Sequence, residues 1–164
     1  IPLTAGAQLG LQRPRSVNFE ELALELAGMV LTTLSGSPVS MRGATNRDER
    51  RIATAVRFIE LHFRRTLCLE ELSALVGISP YHFLRTFKHV VGLTPHQFIL
   101  RRRLREAALR LRTTAESVLD IALDAGFGDL SNFNHTFRAA FGTTPTEYRA
   151  YDCNRNHDPS VERV

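Results

Sequence analysis

Apolar residues recur at steps of three and four along most of the chain, which is the spacing of one face of an α-helix. The first such face predicts an amphipathic helix over 18–34 and consists of Phe19, Leu22, Ala23, Leu26, Ala27, Val30 and Leu34. The segment 35–46 then has the composition of a flexible linker, with Ser35 to Pro38 ending the helix. From residue 46 onwards the periodic segments follow one another with only short breaks. The pattern predicts an all-α chain.

The starts of the later helices are marked by capping residues. Asn46 is followed by Arg47-Asp48-Glu49, a capping-box spacing, so we predict that the helix after the linker has Asn46 as its cap. Three other starts place proline directly after a Ser or Thr cap, at Ser79-Pro80, Thr94-Pro95 and Thr144-Pro145. Cys68 occupies a corresponding cap position and is a poor cap, which predicts a weaker helix start there.

Two segments of the chain repeat each other. Residues 69–77 match residues 118–126 at an offset of 49, and the match then resumes at an offset of 50. The residues matched in the second part are Phe83, Thr86, Phe87, Gly92, Thr94 and Pro95 with Phe133, Thr136, Phe137, Gly142, Thr144 and Pro145. Each copy has the pattern of a short helix, a glycine turn and a second helix. We therefore predict helix-turn-helix units at 68–91 and 117–141, joined by a long helix over 95–113, within one domain at 46–151.

The second helix of each copy has a polar face without an acidic residue. The residues of these faces are Tyr81, His82, Arg85, Thr86 and His89 in the first copy and Ser131, Asn132, Asn134, His135 and Arg138 in the second. Such a face suits a DNA groove, because carboxylates would be repelled by the flanking phosphates. An ordinary solvated face is the alternative for one helix alone, but its presence in both copies favours DNA binding. We expect Thr86, His89, Asn134 and Arg138 to contact phosphates.

The charge of the chain is consistent with an anionic partner. There are 21 Lys and Arg residues against 17 acids, and every cation except Lys88 is an arginine. The positive excess lies within 47–151. The guanidinium group suits phosphate oxygens and guanine edges. Arg101 and Arg102 are therefore expected phosphate contacts, with intramolecular pairing to Glu106 as the alternative.

No catalytic residue, metal site or cofactor is predicted, so we do not expect an enzyme. The histidines lack a paired spacing such as H-x-x-x-H, and Cys68 and Cys153 are far apart. There is no glycine-rich phosphate loop and no G-x-S-x-G. No apolar run reaches the roughly 18 residues of a membrane span. The two separated cysteines suit a reducing cytoplasm.

These motifs together resemble the AraC/XylS family of bacterial transcription regulators. The resemblance covers roughly 47–150 and is carried by Leu69–Leu72, Gly77–Lys88, Gly92–Pro95, Ile121-Ala122, Gly126-Phe127, Ser131–Phe133, Phe137-Arg138 and Phe141–Pro145 through Tyr148-Arg149. It implies a seven-helix DNA-binding domain of two subdomains bridged by a long helix. The base-facing residues that it implies are Tyr81, Leu84 and Arg85 in the first unit and Ser131, Asn132 and His135 in the second, to which we add His82.

The family often has Arg or Lys at the position of His135, so we expect the second unit to bind DNA more weakly. The resemblance implies a sequence-specific regulator, an activator or a repressor, whose partners are double-stranded DNA and RNA polymerase. Many members carry an upstream effector-binding and dimerising domain, of which 1–45 would be a remnant. A homodimer through the helix at 18–34, or through a missing upstream domain, stays open. The segment 152–164 is expected to be a disordered tail. The alternative is an effector-sensing or protein-interaction protein whose activity lies in that missing domain.

Overall fold

A computed structural model describes residues 45–155 and, upstream of them, Ala23 and Ala27, which are helical and exposed. Within 45–155 there are seven α-helices and no strand. In chain order they are α1 (Asn46–His62), α2 (Leu69–Leu75), α3 (Pro80–Val91), α4 (Pro95–Thr113), α5 (Val118–Asp124), α6 (Leu130–Phe141) and α7 (Pro145–Arg155). The predicted all-α class is confirmed. The rest of the predicted helix at 18–34 and of the linker lies outside the described residues, as does everything after 155.

Two predictions about helix ends are corrected and one is confirmed. The N-cap of α1 is Thr45 rather than Asn46, because the Thr45 hydroxyl accepts a hydrogen bond from the Asp48 amide (3.2 Å) and the Asp48 carboxylate accepts one from the Thr45 amide (3.3 Å). The prediction of disorder from residue 152 is wrong at its start, since α7 continues to Arg155. Cys68 forms no side-chain hydrogen bond at the start of α2, as expected.

The first helix-turn-helix unit consists of α2 and α3, which pack against α1 and against the beginning of α4. Its buried residues are Ile52, Ala55, Ile59, Phe63, Leu69, Leu72, Phe83, Leu84, Phe87 and Ile99. Most of them recur at helical spacing along α1 and α3, which is why these helices form amphipathic elements that fold onto one another. Phe83 and Phe87 are fully buried at its centre, with ring centroids 5.5 Å apart.

The second unit, formed by α5 and α6, repeats this arrangement. Its buried residues are Leu100, Leu104, Ala107, Ala108, Leu111, Ile121, Ala122, Ala125, Phe127, Phe133 and Phe137. Phe133 and Phe137 correspond in the repeat to Phe83 and Phe87, and they are equally buried. The aromatic ring of Tyr148 from α7 closes this core at 5.3 Å from the ring of Phe137.

The long helix α4 belongs to both cores. Ile99, in its second turn, lies in the first core, whereas Leu100, Leu104 and Leu111 lie in the second. Its 19 residues give a length of about 28 Å at 1.5 Å per residue. Because α4 is packed on both sides, it connects the two units as a structural element rather than as a free linker.

The start of α7 predicts a measurable pH dependence of stability. Hydrogen bonds from the Thr144 amide and from the Thr144 and Thr143 hydroxyls lower the pKa of Glu147 from 4.5 to about 2. A carboxyl whose pKa is lower in the folded state stabilises the fold above its unfolded pKa, and this stability is lost as the pH falls from 4.5 towards 2. We expect Glu147→Gln to lose less thermal stability than the wild type over that interval, as measured by circular dichroism.

Glutamine is the matched replacement, because Gln97 fills the same place in the capping box of α4 and accepts from the Thr94 amide at 3.2 Å. The variant therefore keeps the cap and loses only the titrating group. If the melting temperatures of the two proteins fell by the same amount as the pH was lowered to about 2, the lowered pKa of Glu147 would be contradicted.

Candidate nucleic-acid interface

Both ends of helix α3 have the capping residues that the sequence predicts. The Ser79 hydroxyl accepts from the His82 amide (3.3 Å), Pro80 occupies the first turn, and Gly92 ends the helix in a left-handed conformation. Its exposed residues include His82, Arg85 and His89, and Tyr81 is half-buried. The second helix of the first unit therefore presents a polar surface to solvent.

Two residues expected at this surface are buried. Leu84 and Thr86 are only 1% and 8% exposed, so in this arrangement neither presents a surface to a base or a phosphate. The reason is the number of neighbours: α3 packs against α1, α2 and α4, which widens its buried face beyond the single stripe that its periodicity indicates. Val90, which follows Phe83 and Phe87 at helical spacing, is instead 38% exposed.

Arg85 is exposed and forms no hydrogen bond or ion pair with any residue that the structure describes. His82 differs, because its Nε2 atom lies 3.9 Å from a carboxylate oxygen of Asp48 at the start of α1. The hydrogen bond from the Thr45 hydroxyl is the main cause that lowers the pKa of Asp48, so this carboxylate stays charged beside the polar face of α3. The polar face of α3 has no acidic residue of its own, but Asp48 of the neighbouring helix α1 lies at its edge.

Helix α6 presents the corresponding surface in the second unit. Ser131, Asn132, Asn134, His135 and Arg138 are all exposed, as the repeat predicts. The N-cap is Asp129, whose carboxylate accepts from the Asn132 amide at 2.7 Å. The carboxylate of Asp129 therefore caps the N-terminus of α6, next to this surface. The side-chain oxygen of Asn132 also accepts from Thr136 at 3.3 Å.

The two arginines expected to contact phosphates from α4 differ in their surroundings. Arg102 donates to Glu60 (2.6 Å) and to Glu106 (3.1 Å), and its guanidinium lies 4.1 Å from the centre of the Phe63 ring. The alternative of pairing with Glu106 is thus what the structure has, and both carboxylates compete with a phosphate for Arg102. Arg101 is half-buried and forms no such pair within the described part of the chain.

Sequence analysis overlooked a second group of cations on α1. Arg47 and Arg50 are exposed and, with Arg51, line a cleft of about 460 Å³ between α1 and the end of α2. Arg57 continues the same side of α1 seven residues after Arg50 and is also exposed. Arg47, Arg50 and Arg57 are separated by three and seven residues, which places them on one side of a helix. The basic stripe could therefore have been predicted from the sequence.

Comparison with known proteins identifies the family. A family model described as a helix-turn-helix domain matches residues 72–151. One similar crystal structure is that of a transcriptional regulator from Chromobacterium violaceum, which is one of the AraC-type DNA-binding domain-containing proteins. Its sequence is 30% identical to this chain, and its structure aligns with a TM-score of 0.60. That alignment covers 68% of this chain and 96% of the other. The chain belongs to the AraC/XylS family.

Two further similarities show what kind of family members match. The DNA-binding domain of AdpA, a global transcriptional factor crystallised with a target DNA, is 29% identical over 65% of this chain and 97% of that domain, with a TM-score of 0.62. The HTH-type transcriptional activator RhaS of Klebsiella pneumoniae (strain 342) is 36% identical over 76% of this chain and 45% of RhaS. The chain spans about half the length of the curated relatives it matches.

Two other features are absent from the residues that the structure describes. No group of three or more His, Cys, Asp or Glu side chains is placed to hold a metal ion. Among the same residues, no helix is both long and apolar enough to cross a membrane. Within the described range, the polar faces of α3 and α6 are thus the surfaces that fit the chemistry of the family.

Proposed function

We propose that the chain binds double-stranded DNA sequence-specifically, with α3 and α6 in two adjacent major grooves, and regulates transcription. The observation that carries the proposal is the repeated polar face: each helix is the second of a helix-turn-helix and exposes hydrogen-bonding side chains without a carboxylate of its own. An α-helix fits the major groove, where base edges have distinct patterns of donors and acceptors.

The proposed contacts follow from exposure and chemistry. Base contacts are assigned to Tyr81, His82, Arg85, Ser131, Asn132 and His135. Phosphate contacts are assigned to His89, Arg101, Asn134 and Arg138, with Arg47 and Arg50 added from α1. His82 is the weakest assignment, since Asp48 competes for its ring. Arg138 also faces a carboxylate, because its charge contributes to the lowered pKa of Glu147.

The wider role is proposed from the relatives. One of them is named a transcriptional activator, and we propose that this chain acts as an activator that recruits RNA polymerase in the cytoplasm. Dimerisation through the helix at 18–34 or through a further domain is part of the same proposal. No enzymatic activity is proposed for the described residues, and the cleft beside α1 is lined by three arginines and no acid.

Selection of bound sites from a random pool of DNA duplexes tests DNA binding. We expect one preferred sequence, with an affinity that falls steeply as salt rises, because phosphate contacts release counterions. Failure to enrich any sequence would refute the proposal. Binding that is equal for all sequences would leave only a non-specific basic surface. A protein-interaction module would show neither enrichment nor a steep salt dependence.

Arg85→Ala tests the first recognition helix. The exposed, unpaired guanidinium of Arg85 is suited to a guanine edge, the commonest specific contact. We expect a loss of about 1–3 kcal/mol of binding free energy on the preferred site and relaxed selectivity at one base pair. Arg105→Ala is the matched control, because Arg105 is also exposed but lies on α4 and is not among the assigned contacts. An unchanged sequence preference in Arg85→Ala, with uniformly weaker binding, would make Arg85 a phosphate contact only.

A further inference from the structure

The end of α1 is joined to the middle of α4 by a half-buried arginine. Arg103 donates from Nε to the carbonyl oxygen of Phe63 (2.7 Å) and from a terminal nitrogen to the carbonyl oxygen of Arg65 (2.9 Å). These carbonyls lie just beyond the C-terminus of α1, the negative end of the helix dipole. Arg103 has no carboxylate partner in the described residues, and its burial lowers its pKa. Its guanidinium is held by backbone oxygens alone.

The second unit reaches the same place through its glycine turn. A Cβ atom on Gly126 would lie 2.5 Å from the carbonyl oxygen of Arg64 and 2.9 Å from Nε of Arg103. Gly77, the equivalent glycine of the first unit, would have nothing within 4 Å of a Cβ atom. Both glycines have positive φ, at 66° for Gly77 and 95° for Gly126. The close approach therefore distinguishes Gly126 from its repeat partner, whereas the backbone conformation does not.

These residues make a direct contact between the two units that does not pass along α4. The end of α1 belongs to the first unit, since Phe63 lies in its core, and Gly126 belongs to the turn of the second. Arg103 lies between them and holds the backbone of one while it touches the other. We call the set of Phe63–Arg65, Arg103 and Gly126 the inter-unit contact. Ion pairs of Arg64 with Glu106 and of Arg102 with Glu60 tie the same end of α1 to α4.

We propose that Arg103 is a positioning residue that fixes the orientation of the second recognition helix relative to the first. Arg103 touches no base in this arrangement. It acts by preventing α1 and the Gly126 turn from moving apart, which sets the spacing at which α3 and α6 are presented. The role in DNA binding rests on the proposed function, but the fixed orientation itself does not.

A distance measurement without DNA tests the orientation. Spin labels on Ala74→Cys in α2 and Ala139→Cys in α6, both exposed positions, are placed in a Cys68→Ser, Cys153→Ser background. Electron–electron double resonance should give one narrow distance distribution for this protein and a broadened or shifted one after Arg103→Met. Methionine keeps the long apolar stem of the side chain and removes its donors. Arg105→Met, an exposed arginine two residues along α4, is the matched control and should leave the distribution narrow.

A second experiment measures the consequence for DNA. The probe is the duplex selected by the wild-type chain, together with versions in which one or two base pairs are inserted between the two contact patches, and a duplex with one patch only. For Arg103→Met we expect about tenfold weaker binding at the preferred spacing and a flatter dependence on spacing. Binding to the single patch should change by less than about twofold, because each unit keeps its own contacts.

The outcomes separate the two proposals. A narrow, unshifted distance distribution in Arg103→Met, or a broad one in the unsubstituted protein, would overturn the positioning role whether or not DNA binds. Failure of the wild type to select any duplex would refute the proposed function and leave the distance result standing. Should Arg103→Met fail to fold, Gly126→Ala against Gly77→Ala decides: the two share the strained φ, and only Gly126→Ala should shift the distance distribution. Identical distributions in that pair would overturn the proposal.

Discussion

Phe137→Ala is expected to lower the free energy of unfolding by about 3–5 kcal/mol, the usual cost of removing a fully buried phenylalanine. Phe137 has no solvent exposure, and its ring lies 5.4 Å from Phe133, 4.4 Å from Phe141 and 5.3 Å from Tyr148. The substitution removes the central ring of this aromatic cluster. The measurement is chemical unfolding followed by circular dichroism, with urea as the denaturant.

The repeat supplies a second test of the same assignment. Phe87 occupies the equivalent place in the first core, with no exposure, so Phe87→Ala should cost a similar amount. Leu119→Ala is the control, because Leu119 is 45% exposed on α5 and its loss should cost well under half as much. If Phe137→Ala unfolded at the wild-type urea concentration, the alignment of the repeat with the core would be wrong.

Inserting five base pairs between the two contact patches of the selected site should abolish most of the affinity. Major grooves on one face of B-DNA recur about every 34 Å, and α4 is about 28 Å long, so two recognition helices offset at its ends can reach adjacent grooves. Five base pairs rotate one patch by about half a turn to the opposite face. Neither α4 nor the inter-unit contact allows the second unit to follow.

Footprinting on the same site gives the matching prediction. One chain should protect about 15–20 base pairs as two patches one helical turn apart. The patch of the second unit should be fainter, because His135 stands where many family members have Arg or Lys. A site with only one patch is the control for the insertion. If the inserted site bound as tightly as the original, the two units would act independently, and α4 would be no more than a connection.

Much of the fold could be predicted because the local signals were strong and agreed with one another. The predicted long helix at 95–113 coincides with α4, since a capping box with proline begins it and Thr114 ends it. The cap of α1 was misplaced because Thr45 and Asn46 are adjacent and both are good caps. Only the fold shows that Asp48 completes the box with Thr45.

The site was predicted less completely, for a physical reason. Periodicity describes a helix that packs on one side, and α3 packs against three helices, so Leu84 and Thr86 turned out to be buried. An ion pair of Arg102 with Glu106 was one of the alternatives in the sequence analysis. The structure adds a hydrogen bond from Arg102 to Glu60, which lies 42 residues away along the chain. The crowding at Gly126 likewise involves the distant Arg64. Contacts between elements that are far apart in sequence leave no local pattern.

The shared helix α4 has a consequence for how the chain can be divided. A cut before Pro95 would leave the first unit without Ile99, and a cut after Thr113 would leave the second without Leu100, Leu104 and Leu111. No single break yields two intact halves, because both units bury residues of α4 in their cores. Neither unit keeps its core when it is separated from that helix. An excised second unit must therefore retain α4 to fold, and the first must do the same.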